Sequence, residues 1–142
     1  MDPIDVPTLP GLYIVTVDCE ELISVNANDS RIAHKCITIN RDNCKFGRAK
    51  NLRARCRNYQ KTFHPHQVTF KVVALLDAIN VAESACARRL SAWRLRGRTG
   101  RPNEWLAGIS AEQVEALVLE TLTGGGFLVT APMASLREEE TR

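Results

Sequence analysis

Apolar positions along the chain fall into two kinds of run, short β-rich segments and stretches with helical spacing. Residues 12–17 are rich in β-formers and predict a strand. A second strand is expected over residues 36–40, with Arg41-Asp42-Asn43 turning it into a third around residues 44–46 as a tight hairpin. Gly47 would then permit a sharp turn. Asn51 is a good helix N-cap, because its side chain can accept from an otherwise unpaired backbone N–H. Leu52, Cys56 and Tyr59 follow at i, i+4 and i+7, so a first helix is expected over about residues 52–60. His64-Pro65-His66 breaks the chain before residues 67–76, a buried-looking strand. Ala82, Cys86, Leu90 and Trp93 mark one face of a second helix starting after Asn80, with Asn80-x-x-Glu83 as a capping box. Ser110-x-x-Gln113 is a capping box for a third helix, in which Val114, Leu117, Val118 and Leu122 are apolar. Gly124-Gly125-Gly126 ends it, and residues 127–130 are a candidate short strand.

Between these elements lie less regular pieces. Residues 1–10 contain three prolines and read as an irregular lead-in. Residues 18–30 are polar around Leu22-Ile23 and fit a loop or a ragged hairpin. Residues 94–103 read as a basic loop, and residues 131–142 as a loose acidic tail. No internal repeat is visible. The order of elements argues an α+β fold: a small α/β sandwich whose three-stranded, mostly antiparallel central sheet is flanked by helices. At 142 residues, one domain over residues 11–130 is expected.

Composition narrows the class. The 44% hydrophobic and 25% charged fractions are ordinary for a soluble domain. No run of about 18 apolar residues exists to span a membrane, and the acidic start is unlike a signal peptide. The five cysteines, Cys19, Cys36, Cys44, Cys56 and Cys86, include no C-x-x-C pair, which favours reduced thiols in a cytoplasmic protein. Charge is more informative, because the net +3 conceals its distribution. Residues 31–101 hold 17 Lys or Arg against Asp42, Asp77 and Glu83, a net of +14. The flanks hold two basic and 13 acidic residues, a net of −11. A basic face of this kind most often meets nucleic acid, and a solvated arginine-rich surface is the alternative.

The densest part of that segment is Lys45-Phe46-Gly47-Arg48-Ala49-Lys50-Asn51-Leu52-Arg53-Ala54-Arg55-Cys56-Arg57-Asn58-Tyr59. A strand leading into an arginine-rich helix can fix cations at a sheet edge, where planar guanidinium forks suit phosphate. This stretch resembles the second half of the GIY-YIG nuclease motif, Y-[IV]-G-x-[SA]-x-[ND]-L-x-x-R, with Gly47, Ala49, Asn51, Leu52 and Arg55 in register. Gly11-Leu12-Tyr13 is similar to the first half. Lys45 stands where the motif has tyrosine, as in a phage-type branch that reads K-[IV]-G, and Glu104-Trp105-Leu106 is similar to that branch's E-W-[FL] triplet. The resemblance covers residues 11–107.

The resemblance implies a metal-dependent DNA endonuclease, with RNA as an open alternative substrate. Arg55 would bind the scissile phosphate, assisted by Tyr59 four residues on. Tyr13 would position or deprotonate the attacking water, and Lys45 would give electrostatic help or polarise water. Glu83, on the helix after the strand at residues 67–76, would hold one Mg²⁺ or Mn²⁺. Arg48, Lys50, Arg53, Arg57, Arg94, Arg96, Arg98 and Arg101 would contact nucleic acid. Each residue also has a plainer reading: Tyr13 and Tyr59 as core, Arg55 as a surface cation, Glu83 as a helix cap. His64 and His66 read as loop residues, and Trp93 and Trp105 as core. Tyr13 and Lys45 are 32 positions apart, so either residues 18–35 are an insertion or the partner of the first strand is residues 36–40. Two other functions fit the same charges: a binding module of the same fold without turnover, and a basic face that meets an acidic protein.

Overall fold

A computed structural model of the chain describes residues 2–25, 37–96, 102–127 and 129. Its organising strand is β1, Gly11–Asp18, which pairs antiparallel with β4 (Cys44–Ala49) on one side and β5 (Gln67–Leu75) on the other. Helices cover both faces of this sheet, so β1 is buried on both. That explains a run of β-formers without clean polar alternation. Tyr13, Val15 and Val17 join one core with Leu52, Cys56, Tyr59 and Phe63 of α1 (Leu52–Phe63). Leu12 and Ile14 join a second core with α2 (Ile79–Leu90) and α3 (Ala111–Gly124).

The class is α+β, as expected, but the sheet has five strands rather than three, in the order β5-β1-β4-β7-β6. The additional pair, β6 (Arg94–Arg96) and β7 (Pro102–Leu106), lies where a basic loop was expected. Charged residues there obscured a hairpin whose inward positions are Trp105 and Leu106. The strand expected at residues 36–40 is also different. Only β3 (Thr38–Ile39) forms, and it pairs with β2 (Ile23–Ser24) in a separate ribbon, not with β4. The turn before β4 is real, with Asn43 N–H donating to the Asn40 carbonyl at 3.0 Å, but it joins strands of different sheets. The register Tyr13↔Gly47 shows that the partner of β1 is β4 and not residues 36–40.

Helix ends follow local chemistry in two cases out of three. Asn51 Oδ1 accepts from the Ala54 N–H at 3.1 Å, and Ser110 and Gln113 form the reciprocal capping box. The Asn80–Glu83 box does not form: α2 begins two residues earlier, at Ile79, and its cap, Ala78, has no side-chain acceptor. Gly47 is not at a turn but inside β4. The irregular lead-in is docked on α1. Val6 is buried, and Arg53 donates to the Val6 carbonyl at 2.7 Å and to that of Ile4 at 3.2 Å. Cys19, Cys44, Cys56 and Cys86 are buried and outside any disulfide. Among the described residues, no helix is long and apolar enough to cross a membrane. Cys36, Arg98, Arg101 and the acidic tail lie outside the described residues, as do residues 128 and 130, and Phe127 is not in a strand.

Candidate active site

Three elements, β1 and the consecutive β4 and α1, bring Tyr13, Lys45, Arg55 and Tyr59 together. Tyr13 on β1 faces α1, and Tyr59, one helical turn beyond Arg55, meets it from above. Their hydroxyl oxygens are 2.8 Å apart, a buried hydrogen bond in which either can donate. The rings meet edge to face at 5.6 Å, and Tyr13 stacks on Phe70 of β5 at 4.8 Å. Tyr13 lies across Gly47 of the neighbouring strand. A Cβ there would stand 2.5 Å from the Tyr13 hydroxyl oxygen and 2.7 Å from Cζ. The glycine is thus needed for the room it leaves, not for a turn.

Burial governs the chemistry of both phenols. It pushes Tyr59 up to about 12, while the Tyr13 hydrogen bond and the Arg55 charge pull the other way. Burial also pushes Tyr13 well above the ordinary phenol range, and Tyr59 adds to that. Arg55 is close enough for side-chain hydrogen bonding to both tyrosines. Partial burial alone would lower its guanidinium, but the two phenols leave it raised overall. The phenols are therefore neutral at ordinary pH and Arg55 is charged.

Arg55 and Tyr59 open onto a cavity of about 510 Å³, whose wall also includes Lys45, Asn58, Thr62, Arg94 and Glu104. Lys45 Nζ lies 5.2 Å from the centre of the Tyr59 ring and 3.2 Å from Glu104 Oε2. Tyr13 does not line this cavity and is only 1% exposed, so it reaches the cavity only through Tyr59. Val25 and the Phe63–Trp105 pair, in edge-to-face contact at 5.9 Å, complete the wall. Trp105 is core, as its plainer reading held.

Glu83 is elsewhere. Residues alternate across β4, so Arg48 points to the α2 side with Phe46, away from Tyr13. There its Nη1 donates to Glu83 Oε1 at 2.9 Å. Glu83 lines a smaller cavity of about 150 Å³, which Glu104 and Arg94 also border. Two carboxylates at one small cavity suit a hard oxygen-seeking cation that keeps most of its waters. No group of three or more His, Cys, Asp or Glu side chains is placed to hold a metal among the described residues.

The expected phosphate contacts divide as well. Lys50, Arg57 and Arg96 are exposed, and Arg94 borders both cavities. Arg53 is committed to the lead-in carbonyls and Arg48 to Glu83, so neither presents an unshared cation. The sequence reading did not assign Glu104, Asn58 or Thr62 to the site. The E-W-L triplet pointed to the first, and helical spacing from Arg55 would have found the other two. Comparison with protein-family models, curated proteins and solved structures found no match to this chain.

Proposed function

We propose that the chain is a GIY-YIG-like, metal-dependent endonuclease that hydrolyses phosphodiester bonds in DNA. The observation that carries this reading is the convergence of Lys45, Arg55 and Tyr59 at one cavity, from β4 and α1, with Tyr13 of β1 hydrogen-bonded to Tyr59 behind its wall. Arg55 would hold the scissile phosphate in a bidentate fork and offset the charge that develops on it. Tyr59, neutral and at the cavity wall, would orient a water by hydrogen bonding, with Tyr13 fixing its hydroxyl from behind. Lys45 would add positive charge beside the phosphate. Glu83, across the small cavity, would supply carboxylate oxygens to Mg²⁺ or Mn²⁺, whose chemistry is Lewis-acid stabilisation of the leaving oxygen. Arg57, Lys50 and Arg96 would bind flanking phosphates.

The test is nicking of supercoiled plasmid with Mg²⁺ and then with EDTA, using wild type and Arg55→Ala. Metal-dependent nicking that vanishes in a folded Arg55→Ala protein is expected. Equal rates for the two would remove Arg55 from the mechanism. A second reading, a DNA-binding module without turnover, draws on two observations: the enclosure of Tyr13 and the Arg48–Glu83 pair on the other face of the sheet. Salt-sensitive binding without any cleavage would favour it.

A further inference from the structure

β4 and β7 are paired only at Cys44↔Leu106 and Lys45↔Trp105, whereas β4 stays paired to β1 as far as Ala49. Past Lys45 the two strands part. Glu104, one residue beyond the last pair on β7, stands at the opening, and both cavities reach it. Its carboxylate takes the Lys45 ammonium at 3.2 Å. The Lys45 side chain is only 17% exposed, and its ammonium sits over the Tyr59 ring.

We propose that Glu104 is a positioning residue for phosphodiester cleavage, fixing the Lys45 ammonium over Tyr59 at the wall of the Arg55 cavity. The catalytic half of this inference rests on the nuclease reading; the placement rests on geometry alone. A lysine has a long stem and a point charge, so it stays in one place only when its head is held. The ring face restrains it weakly and without direction. Glu104 supplies a directional partner from the neighbouring strand. Its own side chain is 58% exposed, so the pair adds little to global stability. A carboxylate in the wall of an anion site also opposes the anion, so its benefit does not lie in affinity. What it adds is a fixed direction for one of the three cations, Lys45, Arg55 and Arg94, that border the cavity.

The test compares wild type, Glu104→Gln and Glu104→Asp, each checked for folding by far-UV circular dichroism. In wild type, the Lys45 ε-methylene protons should resonate upfield because of the Tyr59 ring, with the signal assigned by its absence from Lys45→Arg. Glu104→Gln should return that signal towards ordinary lysine, and Glu104→Asp should recover part of the shift. In plasmid nicking, Glu104→Gln should lower kcat roughly ten- to a hundredfold, as small misplacements do. KM should stay level or fall, because a repulsive charge has gone, and Glu104→Asp should regain part of kcat. A folded Glu104→Gln protein that keeps the upfield signal overturns the placement, and one with wild-type kcat overturns the catalytic role. A wild type that shows the signal but never nicks DNA overturns the nuclease reading and leaves the placement standing.

Discussion

Gly47→Ala tests the central geometry most sharply, because a simple view of glycine predicts the opposite sign. Removing glycine from a strand interior normally gains about 0.5–1 kcal/mol in backbone entropy. Gly47 is not among the described glycines with positive φ, which are Gly108 and Gly126, so alanine brings no backbone penalty. What opposes it is Tyr13. The new Cβ would lie 2.5 Å from the hydroxyl oxygen and 2.7 Å from Cζ, and ordinary contact begins at 3.4 Å. Relief requires a shift of about 0.9 Å by a ring that is 1% exposed, stacked on Phe70 and hydrogen-bonded to Tyr59. Overpacking of this kind costs about 1–3 kcal/mol, and losing the buried hydroxyl bond adds about 1 kcal/mol. After the backbone gain, a net destabilisation of about 1–3 kcal/mol is expected. Urea denaturation at matched m-values measures it. Tyr13→Phe removes the nearest atom but leaves Cζ, so the double variant should be partly relieved, with a coupling of roughly 1 kcal/mol. A Gly47→Ala protein as stable as wild type, or strict additivity with Tyr13→Phe, would refute the packing argument.

Two further outcomes follow from the same site. The raised Tyr59 phenol makes the folded state hold its proton above pH 10, where the unfolded chain loses it, so stability should fall as pH rises from about 10 to about 12. The loss is of order 2 kcal/mol; urea midpoints across that window should decline less steeply in Tyr59→Phe. Glu83→Gln removes a charge but keeps shape, and the half-exposed Arg48 pair limits the stability change to about 1 kcal/mol. If Glu83 holds the metal, nicking should drop by orders of magnitude in the folded variant, and nicking at the wild-type rate would exclude that role.

Features with a local cause were legible in the sequence. The Asn51 cap, the Ser110–Gln113 box and the apolar face of α1 depend on neighbours a few residues away, and all three form. Features decided by distant partners were not. The spacing of Asn80 and Glu83 fits a capping box, but α2 starts at Ile79 and places both inside the helix. The Asn40–Asn43 turn was identified correctly, but a turn does not specify which sheet its flanking strands join. β6 and β7 carry too much charge to signal a hairpin by hydrophobicity. Gly47 was picked out for backbone freedom, whereas its reason lies 34 residues upstream in the ring of Tyr13. The same limit applies to the site. Arg55 and Tyr59 share a helix face and were linked by spacing, but no local pattern could place Lys45 beside Glu104 or Glu83 behind Arg48.

That separation constrains any mechanism that uses all of these groups. The sheet lies between the Tyr13–Tyr59–Arg55 cluster and the Arg48–Glu83 pair, and β1 and β4 are continuously paired from Gly11↔Ala49 to Val15↔Lys45. A phosphate held by Arg55 therefore cannot meet oxygens of Glu83 through the middle of the sheet. The two sides communicate where β4 and β7 part, and the residues bordering both cavities there are Glu104 and Arg94. A scissile phosphodiester served by both sides must lie across that opening, next to the β6–β7 hairpin rather than over the face of α1. Arg53, which the lead-in carbonyls already occupy, is not available to a backbone in that position. The short, charged hairpin that hydrophobic patterning failed to reveal is therefore the element on which a shared site depends.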